Sequence, residues 1–215
     1  MADRRGTPFV VSAPSGTGKT TVCRMVLERD PRIEFSVSHT TRRKRPGERE
    51  GVDYHFVTAE EFRALVDEDA FVEHAEYGGN RYGTSWRSLE DPLLRGKDLL
   101  LEIEVQGARQ IRARRSDARF LFLLPPSMEE LSRRLRGRGT DDERQVERRL
   151  EIVVSELPAV HDFDYTVVND QLELAVASVC EIIQAERSGD TISAKERFGT
   201  PQVVSRLAGR FDFAP

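Results

Sequence analysis

The residues best suited to chemistry stand near the start of the chain, in the run Ala13-Pro14-Ser15-Gly16-Thr17-Gly18-Lys19-Thr20. Gly16 and Gly18 let the backbone curl until successive N–H groups point inward as a nest for an anion. A helix starting at the end of such a turn adds its unpaired N–H groups and the positive end of its dipole. In that frame Lys19 reaches the β- and γ-phosphates of a nucleoside triphosphate, and the Thr20 hydroxyl ligates Mg2+. The run follows G-x-x-x-x-G-K-[ST] except at Ala13, where the first glycine is usual; the change costs little if the backbone there keeps a negative φ. A glycine-rich turn that merely capped a helix would not need Lys and Thr in this register, so triphosphate binding is expected.

A second set of anion donors follows. Arg42 and Arg45 carry forked guanidiniums, and Tyr54 and Tyr82 carry phenols, all good partners for phosphate. By itself Arg42-Arg43-Lys44-Arg45 reads more often as a solvated charge run or a targeting patch. The phosphate loop upstream shifts the balance, because a phosphoryl donor needs an acceptor. His39, His55, His74 and His161 have no metal-ligand spacing. No general base is required either: a phosphate monoester has its second pKa near about 6, so its oxygen is already anionic at neutral pH.

The elements that must position these groups can be read from periodicity. Pro8–Val11 is an apolar run that reads as a buried strand, and Val22, Met25 and Val26 mark one face of the helix after the loop. Glu34–Ser38 alternates as a half-buried strand, Tyr54–Val57 is a short strand, and Thr58 with Glu61 forms a capping box that opens a helix through Val66. Phe71–Tyr77 and Asn80–Thr84 flank Gly78-Gly79 as a hairpin. A helix from Ser85 or Ser88 to Leu94 precedes Lys97–Glu104, an apolar strand tipped by Glu102 and Glu104. A helix over Ala108–Ala113, a buried strand over Arg119–Leu124, helices over Met128–Arg136 and Asp142–Leu157, a strand over Tyr165–Val168 and a helix over Leu172–Ala185 complete the core. Ser127 and Glu130 read as another capping box. Strands alternating with helices imply a mainly parallel sheet covered on both faces, an α/β fold interrupted by a small lobe of hairpin-like strands.

Composition bounds the class. With 215 residues, 38% hydrophobic and 33% charged, the chain suits one large α/β domain with inserted lobes. A net charge of −4 argues against a general nucleic-acid footprint. No run of about 18 apolar residues is available to span a membrane, and the start of the chain is too short in apolar residues for a secretory signal. Cys23 and Cys180 lie far apart and read as core thiols, which points to the cytoplasm.

Ser-Val-Ser-His-Thr-Thr-Arg, Pro-Gly-Glu, Gly-Val-Asp-Tyr, Phe-Val-Glu-His-Ala, Tyr-Gly-Thr, Gln-Gly-Ala, Leu-Pro-Pro-Ser and Arg-Leu-Arg-Gly-Arg-Gly-Thr occur in series. Together they resemble bacterial guanylate kinases over residues from about 8 to 186. The resemblance implies a P-loop core (1–37 and 97–190), an inserted GMP lobe (about 38–90) and a helical lid (about 136–150). It implies transfer of the γ-phosphoryl group of ATP to GMP, and also to dGMP, with Mg2+. ATP would be held by Ser15, Gly16, Thr17, Gly18, Lys19, Thr20 and Thr21, with Arg134 and, near the adenine, Asn169. GMP would be held by Ser38, Arg42, Arg45, Tyr54, Glu73, Tyr82, Gly83 and Thr84. Lys19, Arg42 and the lid residues Arg138 and Arg149 would act on the transferring phosphoryl group. Glu73 has a chemical rationale: guanine's pairing edge offers two adjacent donors, and one carboxylate accepts both, whereas adenine would leave it unpaired. Glu102 and Glu104 depart from the family's usual Asp and would serve Mg2+ through water or the acceptor nucleoside. Arg133, Arg136 and Arg148 read as surface arginines paired with Glu143 or Glu147.

Two other classes stay in view. A guanylate-kinase-like interaction module would bind phosphorylated peptides, but such modules typically lack Lys19, Thr20, Arg138 and Arg149. A related kinase could act on another phosphate ester such as a ribose phosphate, against which Ser38, Glu73 and Thr84 argue. Residues 191–215 lie beyond the resemblance and read either as a partly ordered tail with one short helix, around Val203, Val204 and Leu207, or as a surface for a homo-oligomer.

Overall fold

In chain order the elements are β1 (Pro8–Ser12), α1 (Lys19–Arg29), β2 (Ile33–Phe35), β3 (His39–Thr40), β4 (His55–Phe56), α2 (Ala59–Asp67), β5 (Phe71–Tyr77), β6 (Asn80–Ser85) and α3 (Trp86–Leu94). They continue with β7 (Asp98–Glu102), α4 (Val105–Arg114), β8 (Arg119–Leu124), α5 (Met128–Gly137), α6 (Glu143–Glu156), β9 (Tyr165–Val168), α7 (Leu172–Ser188), α8 (Ile192–Phe198) and α9 (Thr200–Leu207). The computed structural model describes residues 4–137 and 143–213. The chain divides into two units, one of Met1–Pro8 and Arg32–Ala118, the other of Phe9–Pro31 and Arg119–Pro215.

In the second unit β1, β8 and β9 run side by side in that order, all parallel, with Val10 opposite Phe120 and Phe122 opposite Thr166. The strands read as continuous apolar runs because both faces are covered, and β1 and Phe120–Leu124 are buried throughout. Helices α1 and α7 pack together, burying Val22, Val26, Val176 and Val179. Ser127 caps α5 by accepting from the Glu130 N–H at 3.1 Å, while the Glu130 carboxylate pairs with Arg133 and Arg134. A 3-10 turn at Leu157–Asp162 follows α6, where Pro158 prevents an α-helix from simply continuing. Beyond α7 the chain forms two helices, α8 and α9. The extended backbone of Gly199 separates them, and Pro201 lies in the first turn of α9, where a missing N–H costs nothing.

The first unit holds a parallel pair, β2 with β7, and a four-stranded sheet of order β4-β3-β6-β5. Sequence alternation over Glu34–Ser38 predicts one strand, and the chain instead makes two. Ser36 N–H still bonds Leu100 O at 3.0 Å, whereas Ser38 O accepts from His55 N–H at 2.9 Å in the other sheet. Alternation persists through the switch, so only the change of partner marks it. The hairpin β5–β6 turns on Gly78 (φ 58°) and Gly79 (φ 73°), the two positive dihedrals a type I′ turn needs. The capping box of α2 is complete: Thr58 Oγ1 accepts from Glu61 N–H at 3.1 Å, and the Glu61 carboxylate accepts from Thr58 N–H at 2.7 Å. The two acids read as tipping one strand fall on different elements. Glu102 ends β7, while Glu104 is the N-cap residue of α4, which begins three positions before the expected Ala108.

Candidate active site

Strand β1 delivers the chain, buried through Ala13, into the loop before α1. Gly16 (φ 88°) and Gly18 (φ 94°) hold the left-handed backbone that curls the loop, and Gly18 is the N-cap residue of α1. No side chain caps that helix, and its first turn carries no acid, so its positive end suits an anion. Space excludes larger residues as well. A Cβ on Gly16 would stand 2.7 Å from Leu135 Cδ2, and one on Gly18 would stand 2.7 Å from Asn169 Nδ2. The hydroxyls of Ser12 and Thr17 are buried without a hydrogen-bond partner. An orphaned donor at such a turn fits a phosphate oxygen. Lys19, Thr21 and Ser15 are half-buried and Thr20 is exposed.

Asn169 follows β9 and is 4% exposed. Its side-chain Nδ2–H donates to Thr17 O at 2.7 Å, tying the residue to the phosphate loop. Its own carbonyl accepts from Arg134 Nη1 at 3.0 Å, and Arg134 Nε donates to Glu130 at 2.8 Å. Thus Thr17, Gly18, Asn169 and Arg134 meet in one cluster. Arg149 is half-buried on α6. Arg136 pairs with Glu143 at 2.7 Å on the surface, as its spacing predicts. Arg138, with the Gly139-Thr140 that follows it, lies outside the described residues.

In the first unit the expected acceptor residues form two groups. Arg42 makes a two-pronged pair with Glu48, Nη2 to Oε1 at 2.6 Å and Nη1 to Oε2 at 3.1 Å. Its guanidinium lies 5.3 Å from the Tyr54 ring centroid, and Tyr54 meets Tyr82 edge-on at 6.0 Å. The Arg42 hydrogen bonds hold the Glu48 carboxyl below its usual range, and Glu48 in turn raises Arg42. Arg45 donates its backbone N–H to Glu48 at 2.7 Å, and its side chain is exposed.

The second group is buried. Glu73 and Thr84 are register partners across β5 and β6, where a shift in pairing after Phe71 re-aims the strand. Glu73 is 4% exposed. Its Oε1 accepts from the Thr84 hydroxyl at 2.6 Å, and Thr84 Oγ1 lies 3.3 Å from Ser38 Oγ. Burial pushes the Glu73 carboxyl above its usual range, against the opposing effect of the Thr84 hydroxyl. Gly83 lies beside this set, where a Cβ would press on the Phe71 ring at 3.0 Å and on Glu73 O at 3.2 Å. Glu102 and Glu104 are both half-buried.

A phosphate loop and a buried carboxylate–hydroxyl set in one chain narrow the family sharply. Residues 5–186 match the guanylate kinase family. The chain belongs to that family. A guanylate kinase from Dechloromonas aromatica is 50% identical over 180 residues, 84% of this chain and 89% of the relative. One from Geobacter metallireducens is 45% identical over 184 residues, 86% of this chain and 91% of the relative. The crystal structure of guanylate kinase from Anaplasma phagocytophilum matches with a TM-score of 0.68 at 37% identity, covering 86% of this chain and 88% of that one. The enzyme is therefore a nucleoside monophosphate kinase with ATP as phosphoryl donor, built on the P-loop α/β fold. Glu48 was legible only as part of Pro46-Gly47-Glu48, an acid closing a basic run; nothing local showed that it clamps Arg42.

Proposed function

We propose that this chain catalyses ATP + GMP → ADP + GDP, accepts dGMP as well, and works with Mg2+ in the cytoplasm. The observation that carries the acceptor assignment is Glu73, a buried carboxylate whose Oε1 accepts from the Thr84 hydroxyl. Guanine presents two adjacent N–H donors to that carboxylate, with Ser38 and Thr84 completing the contact. Arg42, Arg45, Tyr54 and Tyr82 take the GMP phosphate, and Gly83 keeps the backbone close. The phosphate loop from Ser15 to Thr21 wraps the triphosphate, with Arg134 and Asn169 supporting the ATP side. Residues 38–90 serve as the GMP lobe and 136–150 as the lid on a core of 1–37 and 97–190.

Among the described residues no cluster of three or more His, Cys, Asp or Glu is arranged to hold a metal. Mg2+ would arrive on the nucleotide and keep most of its water, with Thr20 as its ligand from the chain, while Glu102 and Glu104 would serve the ion through water or the acceptor nucleoside. Held there, the ion would supply charge neutralisation to the phosphates of the donor. The chain supplies the rest. Lys19 and the arginines Arg42, Arg138 and Arg149 would offset the repulsion between the GMP phosphate and the γ-phosphoryl group. No proton need leave the attacking oxygen at neutral pH. The cytoplasm fits Cys23 and Cys180, which are not joined in a disulfide.

A coupled ADP-release assay with ATP, Mg2+ and each of GMP, dGMP, AMP, CMP and UMP tests this directly. Turnover is expected with GMP and dGMP alone. Lys19→Met should stay folded and lose roughly 10³-fold or more in rate. A folded protein that binds GMP and turns over none of these would overturn the reading in favour of a binding module.

A further inference from the structure

Helix α4 lies along β5, which is the outer strand of its four-stranded sheet. An outer strand leaves backbone groups without a ladder partner. Gln110 supplies one: its Oε1 accepts from His74 N–H at 3.1 Å, and its Nε2–H donates to His74 O at 2.8 Å. One turn further on, Arg114 Nη1 donates to Phe71 O at 2.9 Å. One turn before Gln110 stands Gly107, buried on the same helix face. A Cβ there would lie 2.5 Å from Glu73 Oε2 and 3.1 Å from Glu73 Cδ. Glycine is a poor helix former, and Gly107 sits in regular helix with no need for positive φ. What requires it is the close approach of the Glu73 carboxylate.

We infer that Gly107 and Gln110 are positioning residues for the guanine-reading carboxylate: Gln110 docks α4 on β5, and Gly107 leaves the space in which Glu73 Oε2 stands. The inference rests on the reading that Glu73 pairs with guanine. Thr84 fixes Oε1, and the bare helix face at Gly107 bounds Oε2, so the carboxylate has one orientation. An added methyl must push Oε2 away by roughly 1 Å to restore ordinary contact. The carboxylate is the flexible end of its side chain, so it yields before the backbone does. The fold survives and the geometry of recognition does not.

The test compares Gly107→Ala, Gln110→Ala and Glu73→Gln with wild type, measuring kcat and KM for GMP, ATP and IMP. IMP lacks the 2-amino group, so the GMP-to-IMP ratio reports the carboxylate's alignment. For Gly107→Ala, kcat/KM for GMP should fall about 10- to 100-fold, by the scale of an ångström misplacement. The GMP-to-IMP preference should shrink, the KM for ATP should stay within about twofold, and the melting temperature should hold or rise because alanine favours helix. Gln110→Ala adds no atom at residue 107 and should move the same ratio less, so it carries the test if the alanine variant folds poorly. Wild-type preference in both variants, with Glu73→Gln impaired, overturns the inference alone. Wild-type preference in Glu73→Gln overturns the assignment of Glu73, and the inference with it.

Discussion

Replacing Glu73 by glutamine should separate recognition from stability, and the two should move in opposite directions. Oε1 accepts from Thr84 at 2.6 Å, so a glutamine keeps that bond by placing its oxygen there. Its amide NH2 then occupies the place of Oε2 and meets guanine donor to donor. A bond to a charged group is worth about 1.5–3 kcal/mol, and a guanine donor left unpaired adds roughly 1–3 kcal/mol. At about 1.4 kcal/mol per decade, kcat/KM for GMP should fall by about 10² to 10⁴, with the KM for ATP unchanged. Stability responds differently. Burial raises the Glu73 pKa, so the folded state holds this proton to higher pH than the unfolded chain does. Its contribution to stability is present at low pH and lost as pH rises through the raised pKa. Glutamine cannot ionise and loses nothing. The variant should therefore melt above wild type at neutral pH, with the gap closing toward about pH 4. Thermal melts across pH, beside steady-state kinetics with each substrate varied, read both effects. The GMP phosphate titrates at about 6 and gives both enzymes an acid limb in kcat/KM, on which the wild type should lose a further factor, from protonation of Glu73, that the variant does not. A variant within threefold of wild type on GMP, or equally less stable at every pH, refutes this account of Glu73.

Two further expectations concern the supports of the binding groups. Asn169→Ala strips the buried Thr17 carbonyl of its 2.7 Å donor, worth about 1–3 kcal/mol, so the KM for ATP should rise roughly tenfold while that for GMP holds within about twofold. Substrate-saturation curves decide it, and an unchanged KM for ATP counts against Asn169 as a prop of the phosphate loop. Glu48→Ala releases Arg42 from its two-pronged clamp and should lower kcat/KM for GMP about tenfold, on the scale of one hydrogen bond to a charged group. Its pH signature runs opposite to that of Glu73. The Glu48 pKa is depressed by Arg42, so the clamp is intact at neutral pH and is lost only as pH falls through a value below the usual carboxylate range. Tighter GMP binding in Glu48→Ala would mean that the carboxylate competes with the phosphate instead of orienting the arginine.

Where a structural feature is encoded within a few residues, the sequence was sufficient to find it. Strand β8 is apolar from Phe120 to Leu124 because both faces are covered, and Gly78-Gly79 declares its turn. The phosphate loop is equally local. What escaped was set by partners distant in the chain. The switch between β2 and β3 depends on Leu100 and His55 and leaves the alternation of Glu34–Ser38 undisturbed. The early start of α4 was hidden by Gly107, a weak helix former retained next to Glu73. The groups around the binding residues are longer-range still. Gln110 meets His74 across 36 residues and Asn169 meets Thr17 across 152, separations over which no spacing rule operates. Ser38, Glu73 and Thr84 were identified through family resemblance, and their shared hydrogen bonds became visible only in three dimensions.

The helices beyond α7 also close an opening in the second unit. Strand β9 is the last in its sheet, and its outer side is met by Gly199, which bridges Tyr165 antiparallel. Thr200 adds its N–H to Asp164 O at 3.1 Å and its hydroxyl to Thr166 at 2.9 Å, while Val203 and Leu207 are buried. An uncovered apolar strand is a template on which other chains can add. None of the residues assigned to ATP or GMP lies in α8 or α9; in this unit the two helices take the place that a further strand would otherwise have beside β9.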